Sequence, residues 1–198
     1  MEETAEQAIL EKLERKDTSS EMSCPGCGIS LAIRLVIESL ENFTMIGTSG
    51  CSGLLSKNMN LKVPFIYADS NPVAVARGIE NAVVIAGDGS TAENLQSVIY
   101  AAQNDESMIY ICLNNHGYSN ANEHSEKHFA EIIANHARYV ATASLAKPDD
   151  LIKKIQKASK SKGFKFIEIL CPCPIFWGIG CMNPELRLRR RSPQASNW

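Results

Sequence analysis

Two groups of side chains in this 198-residue sequence have the type and spacing to do chemistry: an acid and an amide that each close an apolar run, and a set of seven cysteines. Asp88 stands in Gly87-Asp88-Gly89-Ser90 and Asn115 in Asn114-Asn115. A carboxylate and an amide oxygen are hard donors of the kind Mg²⁺ takes, and its octahedral shell keeps room for diphosphate oxygens. Gly87 and Gly89 let a phosphate approach the backbone, and a helix starting near Thr91 would aim unpaired N–H groups at it. Each motif alone reads as no more than a tight strand-to-helix turn or the start of a loop. The pair, one strand–helix–strand length apart, is what points to a cation and a diphosphate.

Among the cysteines, Cys24-Pro25-Gly26-Cys27-Gly28 is a C-x-x-C turn whose sulfurs can converge on one metal centre. Two more thiolates would complete a four-cysteine site. Cys51 lies in Gly47-Thr48-Ser49-Gly50-Cys51-Ser52-Gly53, read as a loop from its glycine and serine content, and Cys173 lies in the turn Cys171-Pro172-Cys173-Pro174. Cys171 competes with Cys173 for the fourth place and Cys181 is a third candidate. Cys112, inside an apolar strand, reads as a small buried hydrophobe. Spacing alone leaves a zinc knuckle, an iron–sulfur cluster and no metal all open. The cysteine count is odd, and the start Met1-Glu2-Glu3 is acidic where a secretion signal would be basic. Reduced thiols and a cytoplasmic location are therefore expected over a disulfide framework.

The elements that must position these residues alternate. Strands are predicted over 43–46, 63–67, 82–86, 108–113, 139–141 and 164–170, and helices over 3–16, 29–40, 73–80, 91–103, 129–134 and 149–161. In a right-handed βαβ unit the strands run the same way, so Asp88 and Asn115 would stand on one edge of the sheet, where ligands of such folds bind. The expected class is α/β: a doubly wound, mostly parallel sheet with helices on both faces. The expected organisation is an N-terminal helix and lead-in over 1–22, the main domain over 23–182 and a basic tail over 183–198.

With 44% hydrophobic and 21% charged residues and a net charge of −2, the chain has a globular composition and no field that calls for nucleic acid or an anionic membrane. No apolar run approaches the roughly 20 residues of a bilayer span. Arg187, Arg189, Arg190 and Arg191 have no interleaved aromatics and read as part of the tail. His124 and His128, one helical turn apart, lack a third ligand. Lys153, Lys154, Lys157 and Lys160 read as a solvated face opposite Leu151, Ile152 and Ile155.

Gly-Asp-Gly followed by Asn-Asn resembles the cofactor motif of thiamine-diphosphate enzymes. Beside such a cofactor a redox cluster has a use that a zinc staple lacks, which favours iron–sulfur for the cysteines. Further segments agree in order: Cys24 to Gly28, Gly50-Cys51, Val63 to Ile66, Ala74 to Glu80, Gly87 to Thr91, Ile109 to Asn115, Tyr118 to Asn120, Tyr139 to Ser144, and Cys171 to Pro174 with Trp177-Gly178. Over roughly residues 22–178 the chain resembles the β subunits of pyruvate:ferredoxin oxidoreductase (pyruvate synthase), of the 2-oxoacid:ferredoxin oxidoreductase family.

That resemblance implies the thiamine-diphosphate-binding fold and an enzyme active only with α and further subunits. Its reaction would convert pyruvate or another 2-oxoacid and coenzyme A to acyl-CoA and CO₂, with electrons passing to ferredoxin. It implies thiamine diphosphate and Mg²⁺ held by Gly87, Asp88, Gly89, Ser90, Asn115, Gly117 and Tyr118, with Asp88, Asn115 and the Gly117 carbonyl on the metal. One [4Fe–4S] cluster would be held by Cys24, Cys27, Cys51 and Cys173. No side chain of this chain need act as general base, because the carboxylate that activates the aminopyrimidine ring comes from a second domain, here a partner chain. The sequence departs from the family pattern between Glu80 and Ala82, after Asn120, at Pro174-Ile175-Phe176-Trp177 and beyond Leu186, so the substrate-facing wall is not carried over. Two alternatives stand beside this reading: a non-redox thiamine-dependent decarboxylase subunit, and a degenerate scaffold of the same fold.

Overall fold

Runs such as Ala82-Val83-Val84-Ile85-Ala86 show no polar alternation, so both faces of the strand need cover. The computed structural model, which describes residues 5–14, 23–58, 62–117 and 127–177, supplies it. The strands are β1 (Thr44–Gly47), β2 (Phe65–Tyr67), β3 (Ala82–Gly87), β4 (Met108–Asn114), β5 (Tyr139–Ser144) and β6 (Phe164–Leu170). They form one all-parallel sheet in the order β2-β1-β3-β4-β6-β5. This is the doubly wound α/β class expected.

Helices α1 (Ala5–Glu14), α2 (Gly28–Ser39), α3 (Cys51–Asn58) and α8 (Pro148–Lys160) cover one face. There Ile33, Leu35, Leu55, Ile85, Ile111, Ile155 and Ile167 form a first core. Helices α4 (Pro72–Ala76), α5 (Asp88–Glu93), α6 (Leu95–Gln103) and α7 (Phe129–Ala134) lie on the other face, where Val73, Val84, Val98, Tyr110, Phe129 and Phe166 form a second. Each Val, Leu, Ile or Phe so buried stabilises the fold by roughly 1.5–3 kcal/mol relative to exposure. Among the described residues, no helix is long and apolar enough to cross a membrane.

The chain runs from β1 outward to β2, then returns past β1 to β3. Connections before and after this reversal lie on opposite faces, which makes the crevice beyond the ends of β1 and β3 a topological switch point.

Four expectations need correction. The glycine-rich stretch is not a loop throughout: β1 runs through Gly47, and α3 begins at Cys51. Its small residues, Ser52, Gly53 and Ser56, are buried against the sheet, and any side chain at Gly53 would strike the Thr48 carbonyl. Close packing here outweighs the poor helix propensity of glycine and serine. The helix expected over 91–103 is two helices that meet at Asn94, whose amide donates to the Ser90 carbonyl at 3.0 Å. The first of them starts at Asp88 itself. Finally, α4 stops at Ala76, well short of Glu80, and β5 extends to Ser144.

Candidate functional site

β3 passes into α5 without an intervening loop, which leaves Asp88 at the C-terminal edge of the sheet, 8% exposed. Its Oδ1 accepts the Gly89 N–H at 2.9 Å and its Oδ2 accepts the Gly117 N–H at 3.0 Å. The same Gly117 N–H is donated to Asn115 Oδ1 at 2.9 Å. The acid and the amide read from the sequence thus turn their oxygens to one point. Burial pushes the Asp88 carboxyl above its usual range, against the pull of the Gly89 and Gly117 N–H groups and of His116.

Local bonds hold this geometry. Thr91 Oγ1 donates to the Gly87 carbonyl at 2.8 Å and meets Tyr110 Oη at 3.2 Å, pinning the turn before Asp88. Asn114 Oδ1 accepts the His116 N–H at 3.0 Å and closes a turn in which His116 has a φ of 53°. The Ser90 hydroxyl is buried and has no hydrogen-bond partner among the described residues. A buried donor left open beside a carboxylate and an amide oxygen fits a diphosphate–cation pair. The Gly89 N–H is taken by the Asp88 carboxylate, and the Ser90 hydroxyl is left open among the described residues. Tyr118 lies outside the described residues, as do Cys181, His124 and the arginines of the tail.

Three turns bring the cysteines of interest to the same edge. The Cys27 N–H donates to the Cys24 carbonyl at 2.9 Å, and the Gly28 N–H to the Pro172 carbonyl at 2.9 Å. A side chain at Gly28 would meet the backbone N and O of Pro172 at 2.7 and 2.8 Å, so only glycine lets the C-x-x-C and Cys-Pro-Cys turns lie this close. Cys27 precedes the first turn of α2, and its sulfur receives the N–H groups of Ser30 and Ile29; burial nevertheless raises its pKa, and Cys24 and Cys173 add to the rise. Cys51, at the head of α3, is raised first by burial and then by Cys27, Cys173, Cys24 and Asp88. The Cys27 and Cys51 thiols are thus each raised by burial and then by neighbouring thiols, and Cys51 also by the Asp88 carboxylate; burial, Cys27 and Asp88 raise Cys171 as well. Cys171, however, points into the first core with its Sγ donating to the Ile169 carbonyl at 3.4 Å, and Cys112 is likewise buried.

Among the described residues, no three His, Cys, Asp or Glu side chains are grouped so as to hold a metal ion. The fit to an iron–sulfur cluster rests on the donor set, four interacting thiols from three turns, and not on a closed coordination shell.

The oxygen turn and the thiol turn are fastened to each other. Trp177 Nε1 donates to the Asn115 carbonyl at 2.7 Å, while its backbone N–H donates to the Cys173 carbonyl at 2.9 Å. The Cys171 N–H donates to the Asn114 carbonyl at 2.8 Å, and the indole lies against the His116 ring. Sequence reasoning gave Trp177 no role and passed over Asn114 as a residue of its own. An indole a few residues past a proline-bracketed turn was the available signal.

Comparison with known proteins agrees with this edge of the sheet. The family model for the thiamine pyrophosphate enzyme C-terminal TPP-binding domain matches residues 70–169. Pyruvate synthase subunit PorB of Methanothermobacter thermautotrophicus is 29% identical over 218 aligned residues, 88% of this chain and 75% of that protein. Ketoisovalerate oxidoreductase subunit VorB of Pyrococcus horikoshii is 28% identical over 78% of this chain and 65% of its own length. The solved 2-oxoglutarate:ferredoxin oxidoreductase from Magnetococcus marinus superposes with a TM-score of 0.66 at 23% identity, covering 82% of this chain and 67% of that one. The resemblance to pyruvate synthase β subunits drawn from the motifs is thus met by relatives along most of the chain.

Proposed function

Because the chain belongs to the thiamine pyrophosphate enzymes through their C-terminal TPP-binding domain, we propose that it is the cofactor-carrying subunit of a 2-oxoacid:ferredoxin oxidoreductase of the pyruvate synthase kind. It works with an α chain and further subunits. The observation that carries this reading is the convergence of Asp88 Oδ2 and Asn115 Oδ1 on the Gly117 N–H, next to a Cys51 thiol raised by burial, by neighbouring thiols and by Asp88.

In this reading Asp88, Asn115 and the Gly117 carbonyl hold Mg²⁺, and Gly87, Gly89, Ser90 and Tyr118 bind thiamine diphosphate. Cys24, Cys27, Cys51 and Cys173 hold one [4Fe–4S] cluster. Bound there, thiamine diphosphate supplies the electron sink that lets a 2-oxoacid lose CO₂. The chain's own residues bind and orient. Asp88 is buried at a cost to its charged form, and an incoming divalent cation restores what the lost water supplied. Burial keeps the Cys27 and Cys51 thiols protonated, so loading the thiol site releases protons. Trp177 keeps the two turns in register. The carboxylate that activates the aminopyrimidine ring is assigned to a partner chain. In the net reaction, 2-oxoacid and coenzyme A become acyl-CoA and CO₂, two electrons reduce oxidised ferredoxin, and one proton is released to solvent.

The test is anaerobic co-expression with a candidate α chain, followed by dye reduction with pyruvate and, separately, other 2-oxoacids. Reduction that requires both the 2-oxoacid and coenzyme A is the expected result. A purified complex that binds iron and thiamine diphosphate yet reduces no dye with any 2-oxoacid would overturn the assignment.

A further inference from the structure

Midway along β6, between Ile167 and Ile169, stands a carboxylate outside the cofactor and thiol sites: Glu168, 8% exposed, on the face lined by Phe164 and Phe166. An acid in such a place is costly unless its oxygens are satisfied. Its Oε1 accepts Asn114 Nδ2 at 2.7 Å and its Oε2 accepts the Ala130 N–H at 2.8 Å. Asn114 Nδ2 also donates to the Lys127 carbonyl at 3.1 Å, and Asn114 Oδ1 accepts the His116 N–H at 3.0 Å. The three bonds made by Asn114 fix its amide one way round. Flipped, it would set its nitrogen against the His116 N–H and its oxygen against two acceptors.

From this connectivity we infer that Glu168 is the positioning residue of the oxygen-donor turn. One buried carboxylate holds the amide of Asn114, that amide closes the turn at His116, and the turn sets where Asn115 and Gly117 stand. The same carboxylate grips the start of α7 at Ala130, so residues 114–117 and 127–130 are held by one group. A leucine here would fill the space and leave the turn undirected. The inference rests on the reading above that this turn takes Mg²⁺ and a diphosphate.

The test compares the full-length wild type with Glu168→Gln, Asn114→Asp and the double variant. Two measurements are made: amide hydrogen exchange without ligand, and thiamine diphosphate affinity at saturating Mg²⁺. The amide introduced by Glu168→Gln must face one of the two donors with its own NH₂, whereas the double variant restores the donor–acceptor pair between positions 114 and 168 with the direction reversed and gives up only the bond to the Lys127 carbonyl. Glu168→Gln is expected to speed exchange at His116, Gly117 and Ala130 by about tenfold and to weaken affinity by a similar factor. The double variant should recover much of both, which general loss of stability would not allow. Unchanged exchange at His116 and Gly117, or exchange accelerated equally in β3 and β4, overturns the inference. If wild type itself binds no thiamine diphosphate, the proposed function falls, while the exchange comparison still decides what Glu168 does.

Discussion

Two aspartates at opposite ends of the strands show how one sheet divides its tasks. Asp105, just before β4 with a φ of 52°, is matched: it accepts the Phe164 N–H at 3.2 Å and pairs with Arg138 Nε, and this partner draws its pKa down against desolvation. Asp88, just after β3, accepts hydrogen bonds among the described residues from backbone N–H groups alone, and burial drives its pKa up against them and His116. The first end spends its charges on itself, and that is a stability device. The second end holds a carboxylate and an amide oxygen met by backbone N–H groups, a buried Ser90 hydroxyl with no partner among the described residues, and thiols. Polar groups at a fold's edge are informative when they are left wanting, less so when they are merely numerous.

The sharpest way to break this contrast is a pair of crossed substitutions. Asp88→Ala is expected to abolish saturable Mg²⁺-dependent thiamine diphosphate binding in calorimetry while iron content after anaerobic reconstitution persists. Cys27→Ser should do the reverse. Loss of both properties in either variant would mean misfolding and would erase the distinction between the two turns.

Gly28→Ala comes next. The added methyl must push Pro172 away, at a cost of about 1–3 kcal/mol in denaturant unfolding. Iron loading should drop more than thiamine diphosphate affinity, because the displaced strand end carries Cys173. Asp105→Ala should be milder, lowering the thermal midpoint slightly with no change in ligand affinity; a change in affinity would show that the two ends are not separate.

The smallest expected effect is a pH slope. Burial raises the folded-state pKa of Glu168 above its ordinary 4.5, against the Ala130 N–H, the Asn114 amide, His128 and the Phe129 N–H, with the Cys112 thiol alongside. The unfolded chain therefore ionises first. Glu168's contribution is complete below about 4.5 and is lost as pH rises through the folded value. Wild type should lose stability relative to Glu168→Gln as pH is raised from acid toward neutral, in urea titrations at matched ionic strength. A difference that does not vary with pH would show that the carboxyl is not the titrating group.

Much of this was legible in the chain. Buried parallel strands announce themselves as unbroken apolar runs, so β3, β4 and β6 were placed within a residue or so, and Asp88 and Asn115 followed as their ends. What escaped depends on distant partners. Glu168 reaches Asn114 across 54 positions and Trp177 reaches Asn115 across 62, and nothing local names either pair. The start of α3 escaped for a related reason: Gly53 is poor helix material by itself and good material only against Thr48. The lone acid in Phe164-Lys165-Phe166-Ile167-Glu168-Ile169 was a signal that went unread, since a charge in a buried strand asks where its partner lies.

The strand order carries a lesson about synthesis. β6 follows every other described strand in the chain, yet it lies between β4 and β5, and β5 pairs with no other described strand. On the ribosome, β5 must wait beside a gap until β6 emerges, and Cys173 arrives with it. Truncation ahead of Phe164 would not trim a margin of the sheet; it would orphan β5 and remove Cys173 together with the strand that precedes it.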